Sequence, residues 1–367
     1  MRGSRCAITF GPGDGVRIVF EPEQPLPPDG IRIAPRWCGV CGTDLDIVRR
    51  NRGDRPSVLG HEAFVHVVEK GEHSGWPGRV SSGAAINPVS SADQNRNVGH
   101  SLPGIWSTSR IMTFEEIRDG HLIEWTAHSA GSELALAEPL AAVVYADELV
   151  GGLSGEQTVL LVGSGCFAAL ASLYCLRLGL RCTIAGSSRK RLDELERAFG
   201  DAKFSTAERT RPLQHRKFDA VLVAVPRNLA ETAIDFAFAH VRHGGVVNLV
   251  GAPVGRHIHL DGVRRANTCG LPAGGVSRQA VGANGIARVT GQRGTGARHI
   301  LRAIALLQQS PAYWHKAITH ILPLEEAPGV ITSLARNRAS TIDGRGVGKA
   351  IIDMCSDVRR DATGASH

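Results

Sequence analysis

A chain of 367 residues with 43% hydrophobic content is long enough for two domains, each with its own core, and is not the composition of a disordered protein. Its formal charge of +7 comes from scattered arginines, with lysine only at 70, 190, 203, 217, 316 and 349; this reads as solvated surface and excludes nucleic acid as the expected partner. The eight cysteines lie at irregular spacing and make no disulfide framework, and no apolar run reaches the roughly 18 residues of a membrane helix. A soluble, cytoplasmic protein without nucleic-acid or membrane partners is therefore expected. The stretch Met1-Arg-Gly-Ser-Arg-Cys-Ala-Ile lacks an apolar targeting core.

Residues 5–40 read as short strands broken by proline and glycine, an all-β opening. Next comes Cys38-Gly-Val-Cys41-Gly-Thr43-Asp44, a short helix over 44–50, then Gly60-His61-Glu62 and a strand from Ala63. Cys41 and His61 stand too far apart for a local zinc-finger loop, a separation suited to two ligands carried on different strands of one small domain. Zinc accepts a thiolate, an imidazole and a carboxylate, and keeps a fourth position open where the site is catalytic. Thr43 offers a hydroxyl for passing a proton between an alcohol and solvent. The other readings of Cys38-x-x-Cys41 are a redox pair or half a zinc knuckle. No second Cys-x-x-Cys completes a knuckle, and the motif is not expected to open a helix after a strand as a thioredoxin-type pair would.

Residues 87–110 are polar and loop-like, with Asn87, Ser90, Asp93, Asn95 and His100 able to recognise hydroxyls, and Thr113 to Asp119 suggests a helix. Glu138-Pro139-Leu140 opens an apolar helical run to Val150. Glu138 reads from its position as a cap of that helix, where a carboxylate favours the positive end of the dipole.

Thr158 to Val162 has the character of a buried strand, Gly163-Ser-Gly165-Cys-Phe-Ala168 follows at once, and a helix over 170–178 comes next. A G-x-G-x-x-A between strand and helix is the context expected of a dinucleotide site. Gly163 permits the tight turn, Gly165 lets a pyrophosphate approach the backbone, and the small Ala168 lets helix pack on strand. The second strand ends in Gly186-Ser187-Ser188-Arg189-Lys190-Arg191, where an NAD enzyme normally holds an acid for the ribose hydroxyls. Hydroxyl and guanidinium donors in its place suit a 2′-phosphate, the alternative being an ordinary charged helix start. Strands at 219–225 and 245–252, separated by a helix over 229–241, imply a doubly wound parallel sheet. A glycine-rich loop is expected over 251–285.

These motifs resemble the zinc-dependent alcohol dehydrogenases of the medium-chain dehydrogenase/reductase family, closest in pattern to sorbitol- and glucose-dehydrogenase-like members. The likeness spans essentially the whole chain and is strongest over 38–62, 134–200 and 218–252. It implies an α/β protein in two domains: a GroES-like, β-rich catalytic domain over 1–138 and 296–367, and a Rossmann doubly wound parallel-sheet domain over 139–295. It implies metal ligands at Cys41, His61 and either Glu62 or Glu138, with Thr43 and Glu62 serving catalysis and Cys38 a packing residue. With no cysteine between Cys41 and Cys166 the family's structural zinc lobe cannot form, so one catalytic zinc and no structural zinc are expected. By the family's spacing Ser187 stands where the acid belongs, and NADP(H) is expected over NAD(H), bound by Gly163, Gly165, Ala168, Ser187, Ser188 and Arg189. The expected reaction moves hydride between NADP(H) and a secondary hydroxyl or ketone of a sugar, aminosugar or cyclitol, in a homodimer or homotetramer. A zinc-free NADPH-dependent double-bond reductase of this fold and a non-catalytic NADPH-binding protein are the alternatives. Val65 or His66 stands where the family usually places a small glycine.

Overall fold

The computed structural model describes the chain except residues 1–3, 12–14, 90–92, 126–130, 211–212, 214–215, 268–269, 272–276, 283, 338–340 and 357–367. Two seven-stranded sheets organise it, one largely antiparallel and one largely parallel. The first centres on the antiparallel pair Ile31–Gly39 and Glu62–Lys70, flanked by Gly83–Ile86 and Leu122–Trp125 on one side and by Ala350–Asp353 and His320–Pro323 on the other. Arg110–Met112 pairs with Ile31–Gly39, and a separate hairpin of Ser4–Gly11 and Gly15–Pro22 opens the chain. Strands from both ends of the sequence thus share one sheet.

The second sheet runs Phe204–Glu208, Arg181–Gly186, Thr158–Val162, Phe218–Val223, Val241–Leu249, Gly285–Gly291, all parallel, closed by the antiparallel edge strand Arg278–Gly282. Its central strands are near-continuous apolar runs because helices cover both faces. Leu160, Val162 and Val221 pack with Ala233 and Ile234 of the helix Ala230–His240, while Val159 and Leu161 pack with Leu170 and Leu173 of the helix Cys166–Arg177. The chain reverses its strand order at Thr158–Val162, and in such sheets ligands bind at that reversal, beyond the carboxyl ends of the strands. The α/β fold with a GroES-like and a Rossmann part is the architecture expected from the sequence.

The helix Ala137–Val150 joins the two halves, packing against both the strand Glu62–Lys70 and the helix Cys166–Arg177. A second junction lies on the helix Arg189–Phe199, where Lys190 donates to the carbonyl of Gly344 (3.0 Å) and Glu194 accepts the amide of Gly346 (3.0 Å). The predicted loop over 251–285 is more ordered than its glycines suggest. It holds a 3₁₀ turn at Gly255–Leu260, a short helix Asp261–Ala266 and the edge strand, because the apolar Leu260 and Val263 are drawn into the core beneath Val289. Among the described residues no helix is long and apolar enough to cross a membrane.

Candidate metal and cofactor site

The residues Cys41, His61 and Glu62 come together from a helix start and a strand start. Ile31–Gly39 delivers Cys41 to the N-cap of the helix Gly42–Val48, where its thiol accepts the amide of Thr43 (3.5 Å) and Asp44 accepts the amide of Cys41 (2.9 Å). The expectation that the Cys-x-x-Cys motif does not open a helix is therefore overturned, since apolar Leu45 and Ile47 bury one face of a helix starting just after the strand. A redox pairing gains nothing from this. Cys38 is fully buried, directs its thiol at the carbonyl of Ile105 (3.6 Å), and burial followed by the charge of Asp44 pushes that thiol well up from its ordinary range.

Glycine is needed at two points of this corner. A Cβ on Gly39 would collide with the carboxylate of Glu62, and Gly60, at φ +91°, lies under the Trp106 ring so closely that no side chain fits. His61 and Glu62 are then placed side by side at 5% and 2% exposure, and one donor atom from each, with the sulfur of Cys41, falls within 4.8 Å. A thiolate, an imidazole and a carboxylate at this spacing are a zinc donor set. Nδ1 of His61 lies 3.4 Å from Asp44, which leaves Nε2 to face a metal, and a carboxylate behind a ligating histidine fixes its ring in that way. Burial works against a charged imidazole, yet the charge and hydrogen bonding of Asp44, and then Cys41, hold His61 well above its ordinary value. A dication binding there would displace that proton.

Two neighbours have a place at this corner that the sequence did not indicate. Lys349, just before the strand Ala350–Asp353, is fully buried, pairs its ammonium with Glu62 and reaches the carbonyl of Val40 (3.3 Å). A lysine leading an apolar strand in an arginine-rich chain was the available signal. His100 sets its ring 5.1 Å from that of His61 and within 3.9 Å of Asp54. Glu138 stands outside the three-residue group, but burial and then the charge of Glu62 raise its carboxyl to about 7, so it shares the same pocket of charge. Thr43 keeps its hydroxyl 3.6 Å from the sulfur of Cys41. Of the polar loop residues, Asn87 is buried and bonded to Gly120 and Thr295, Asp93 caps its own turn onto the amide of Asn95, and Ser90 lies outside the described residues.

At the cofactor end, Gly163 has φ +123° and a Cβ there would strike the carbonyl of Ala224, so only glycine makes the turn. Gly165 caps the helix Cys166–Arg177 with open space where its side chain would be, and Ala168 is buried behind it. Amides at a helix N-terminus facing open space are a ready anion site. Ser187, Ser188 and Arg189 are exposed; Ser188 caps the following helix by accepting the amide of Arg191 (3.4 Å). Arg189 is held by carboxylates of its own helix, Asp193 at 2.5 Å and Glu196 at 3.7 Å.

No protein-family model matches the chain. Glucose 1-dehydrogenase of Thermoproteus tenax is 27% identical over 355 residues, 87% of this chain and 93% of that protein. A protein of Mycobacterium tuberculosis named for zinc-binding alcohol dehydrogenase activity is 26% identical over 272 residues, 72% of this chain and 66% of its own length. In fold, the chain matches a zinc-binding dehydrogenase from Sinorhizobium meliloti 1021 bound to NADP, with a TM-score of 0.73 at 18% identity, covering 96% of this chain and all of that one. The chain is similar to zinc-binding and glucose dehydrogenases over most of its length and shares the medium-chain dehydrogenase fold. These relatives support an alcohol or polyol dehydrogenase acting on a small molecule.

Proposed function

We propose that this dehydrogenase transfers hydride between NADP(H) and the secondary hydroxyl or ketone of a sugar-, aminosugar- or cyclitol-like substrate. The observation that carries the reading is the convergence of half-buried Cys41 with buried His61 and Glu62 within 4.8 Å. These three, with Glu138 beside them as the alternative carboxylate, would hold one zinc ion and no second. When bound, the zinc supplies a Lewis acid that acidifies the substrate hydroxyl, and the nicotinamide accepts the hydride. Thr43, beside Cys41 and half-buried, is placed to take the hydroxyl proton and pass it to solvent. Asp44 and Lys349 position His61 and Glu62 rather than touch substrate. The turn Gly163 to Ala168 binds the pyrophosphate, and Ser187, Ser188 and Arg189 bind the 2′-phosphate. For that last contact Arg189 exchanges part of its pairing with Asp193.

We assign the catalytic domain to 1–138 and 296–367 and the dinucleotide domain to 139–295, in a cytoplasmic homodimer or homotetramer. Support for a polyhydroxylated substrate comes from the relative named for glucose and from the absence of cysteine between Cys41 and Cys166. The polar loop adds less support than its composition suggests, because of its described members only His100 faces the metal corner. A substrate panel at fixed NADP+ should place sugars, polyols and aminosugars well ahead of simple aliphatic alcohols. The reverse ranking would overturn the assignment.

A further inference from the structure

Three arginines with no part in the chemistry above converge beside the metal corner. Arg52 donates Nε to Asp54 (2.7 Å) and lays its Nη2 3.3 Å from Nδ1 of His100, whose ring faces His61. Arg264, on the helix Asp261–Ala266, stands over the end of the strand Gly285–Gly291: a Cβ on Gly291 would fall 2.7 Å from its Cα. Arg293 follows two residues later, its amide bonded to the carbonyl of Asn267 (3.0 Å), just past that helix. The same segment continues into the catalytic half, where Gly294 abuts Val89 and the hydroxyl of Thr295 reaches Asn87 (3.5 Å). The end of the parallel sheet thus carries two arginines across to the loops that hold Arg52 and His100.

These guanidinium groups are close enough to oppose one another. Burial, then Arg293, and after the opposing Asp261 also Arg52, pull Arg264 down to about 10. Among the described residues neither Arg264 nor Arg293 has a carboxylate partner, and Nε of Arg264 is buried with no hydrogen bond. Asp261, the acid in reach of Arg264, is taken by Arg265 at 2.6 Å. Gathering three cations of which, among the described residues, only Arg52 has a carboxylate partner costs stability unless an anion completes the cluster. The cofactor's phosphates are already served by the helix N-terminus at Gly165 and by the loop Ser187 to Arg189, which lie after two other strands of the sheet.

We propose that Arg52, Arg264 and Arg293 form an anion pocket beside the metal corner, so that the substrate carries a phosphate or carboxylate in addition to the hydroxyl that reacts. This deepens the polyol dehydrogenase assignment and rests on it. Guanidinium groups meet either anion through paired hydrogen bonds, and an alcohol so anchored is oriented before its hydroxyl meets the metal.

The test compares a neutral polyol, its phosphate monoester and its aldonate as substrates at saturating NADP+, for the wild-type enzyme and for Arg293→Gln, Arg264→Gln and Arg52→Gln. In the wild type an anionic compound should lead the neutral one by about ten- to a hundredfold in kcat/KM, the factor that charge-assisted hydrogen bonds supply. Whether the phosphate or the aldonate leads tells which anion is read. Arg293→Gln should bring that preference towards unity through the substrate KM, without moving the KM for NADP+. Arg293→Gln and Arg52→Gln decide the matter if Arg264→Gln does not fold. A neutral polyol that matches the anionic ones in the wild type overturns the proposal. So does an Arg293→Gln enzyme whose KM for NADP+ rises as much as its KM for the anionic substrate, which would give the arginines to the cofactor. Calorimetric titration of inorganic phosphate into the NADP+-loaded enzyme separates the two levels. If no polyol is turned over but phosphate binds in an Arg293-dependent way, the polyol assignment falls and the pocket stands.

Discussion

At the metal corner His61 and Glu62 are buried and each is backed by a neighbour, whereas at the loop after Arg181–Gly186 the polar groups stand in solvent and satisfy one another. His61 has Asp44 behind it and Glu62 has Lys349, with Trp106 packed on Gly60 to close the corner. Ser188 instead spends its hydroxyl on a helix cap, and Arg189 pairs with Asp193 and Glu196 along its own helix. The first arrangement is costly to assemble and fixed in advance, as a site must be that holds a metal and orients a reacting atom. The second is cheap to rearrange, since its polar groups only exchange one exposed partner for another. The two differ as a preorganised site differs from an adaptable one.

Mutations should expose that difference in graded fashion. Cys41→Ala should reduce turnover to background while NADPH binding, followed by nucleotide fluorescence, persists, because the thiol and the glycine turn belong to different halves of the molecule. Parallel loss of NADPH binding would show the two regions to be one unit. Lys349→Met leaves the carboxylate of Glu62 buried without its counter-ion, and loss of one partner of a buried pair costs about 3–5 kcal/mol. Denaturant unfolding of the metal-free protein would measure it, and a loss near that of a surface pair would contradict the buried placement. Arg189→Ala should lower affinity for NADPH by roughly ten- to a hundredfold while sparing NADH, the range of a charge-assisted hydrogen bond. If the wild type binds NADH as tightly as NADPH, this loop has been misread.

The smallest expected effect concerns pH and a histidine outside both regions. His121 is fully buried with Nδ1 against the carbonyl of Asn87 (2.9 Å), and burial holds its imidazole below its ordinary value of 6.5, the hydrogen bond to Asn87 opposing only in part. The unfolded chain therefore takes up this proton at a higher pH than the fold does. Its contribution to stability is present in full above pH 6.5 and lost as pH falls through the depressed value. His121→Gln should flatten the decline of Tm on mild acidification, and an unchanged slope would count against it.

What the sequence displayed plainly was whatever depends on local pattern. The glycine turn after Thr158–Val162, the apolar strands of the parallel sheet and the cysteine, histidine and glutamate of the metal corner all follow from residue type and spacing. The supports of that corner do not, because they arrive from far along the chain. Lys349 meets Glu62 across 287 residues of sequence, so only the closed sheet reveals the contact. The segment 251–285 was misjudged for the opposite reason. Its glycines suggested a loop, while Leu260 and Val263 were the apolar anchors that order part of it. His100 looked like one of several polar loop residues until the loop's path set it beside His61.

The central claim is that Cys41, His61 and a buried glutamate hold a single zinc ion on which turnover depends. Elemental analysis of the purified active enzyme, beside the Cys41→Ala variant, tests it most directly. One zinc per chain is expected in the wild type and none in the variant, with turnover tracking the zinc. Two zinc ions per chain, or full turnover from a preparation with none, would contradict it.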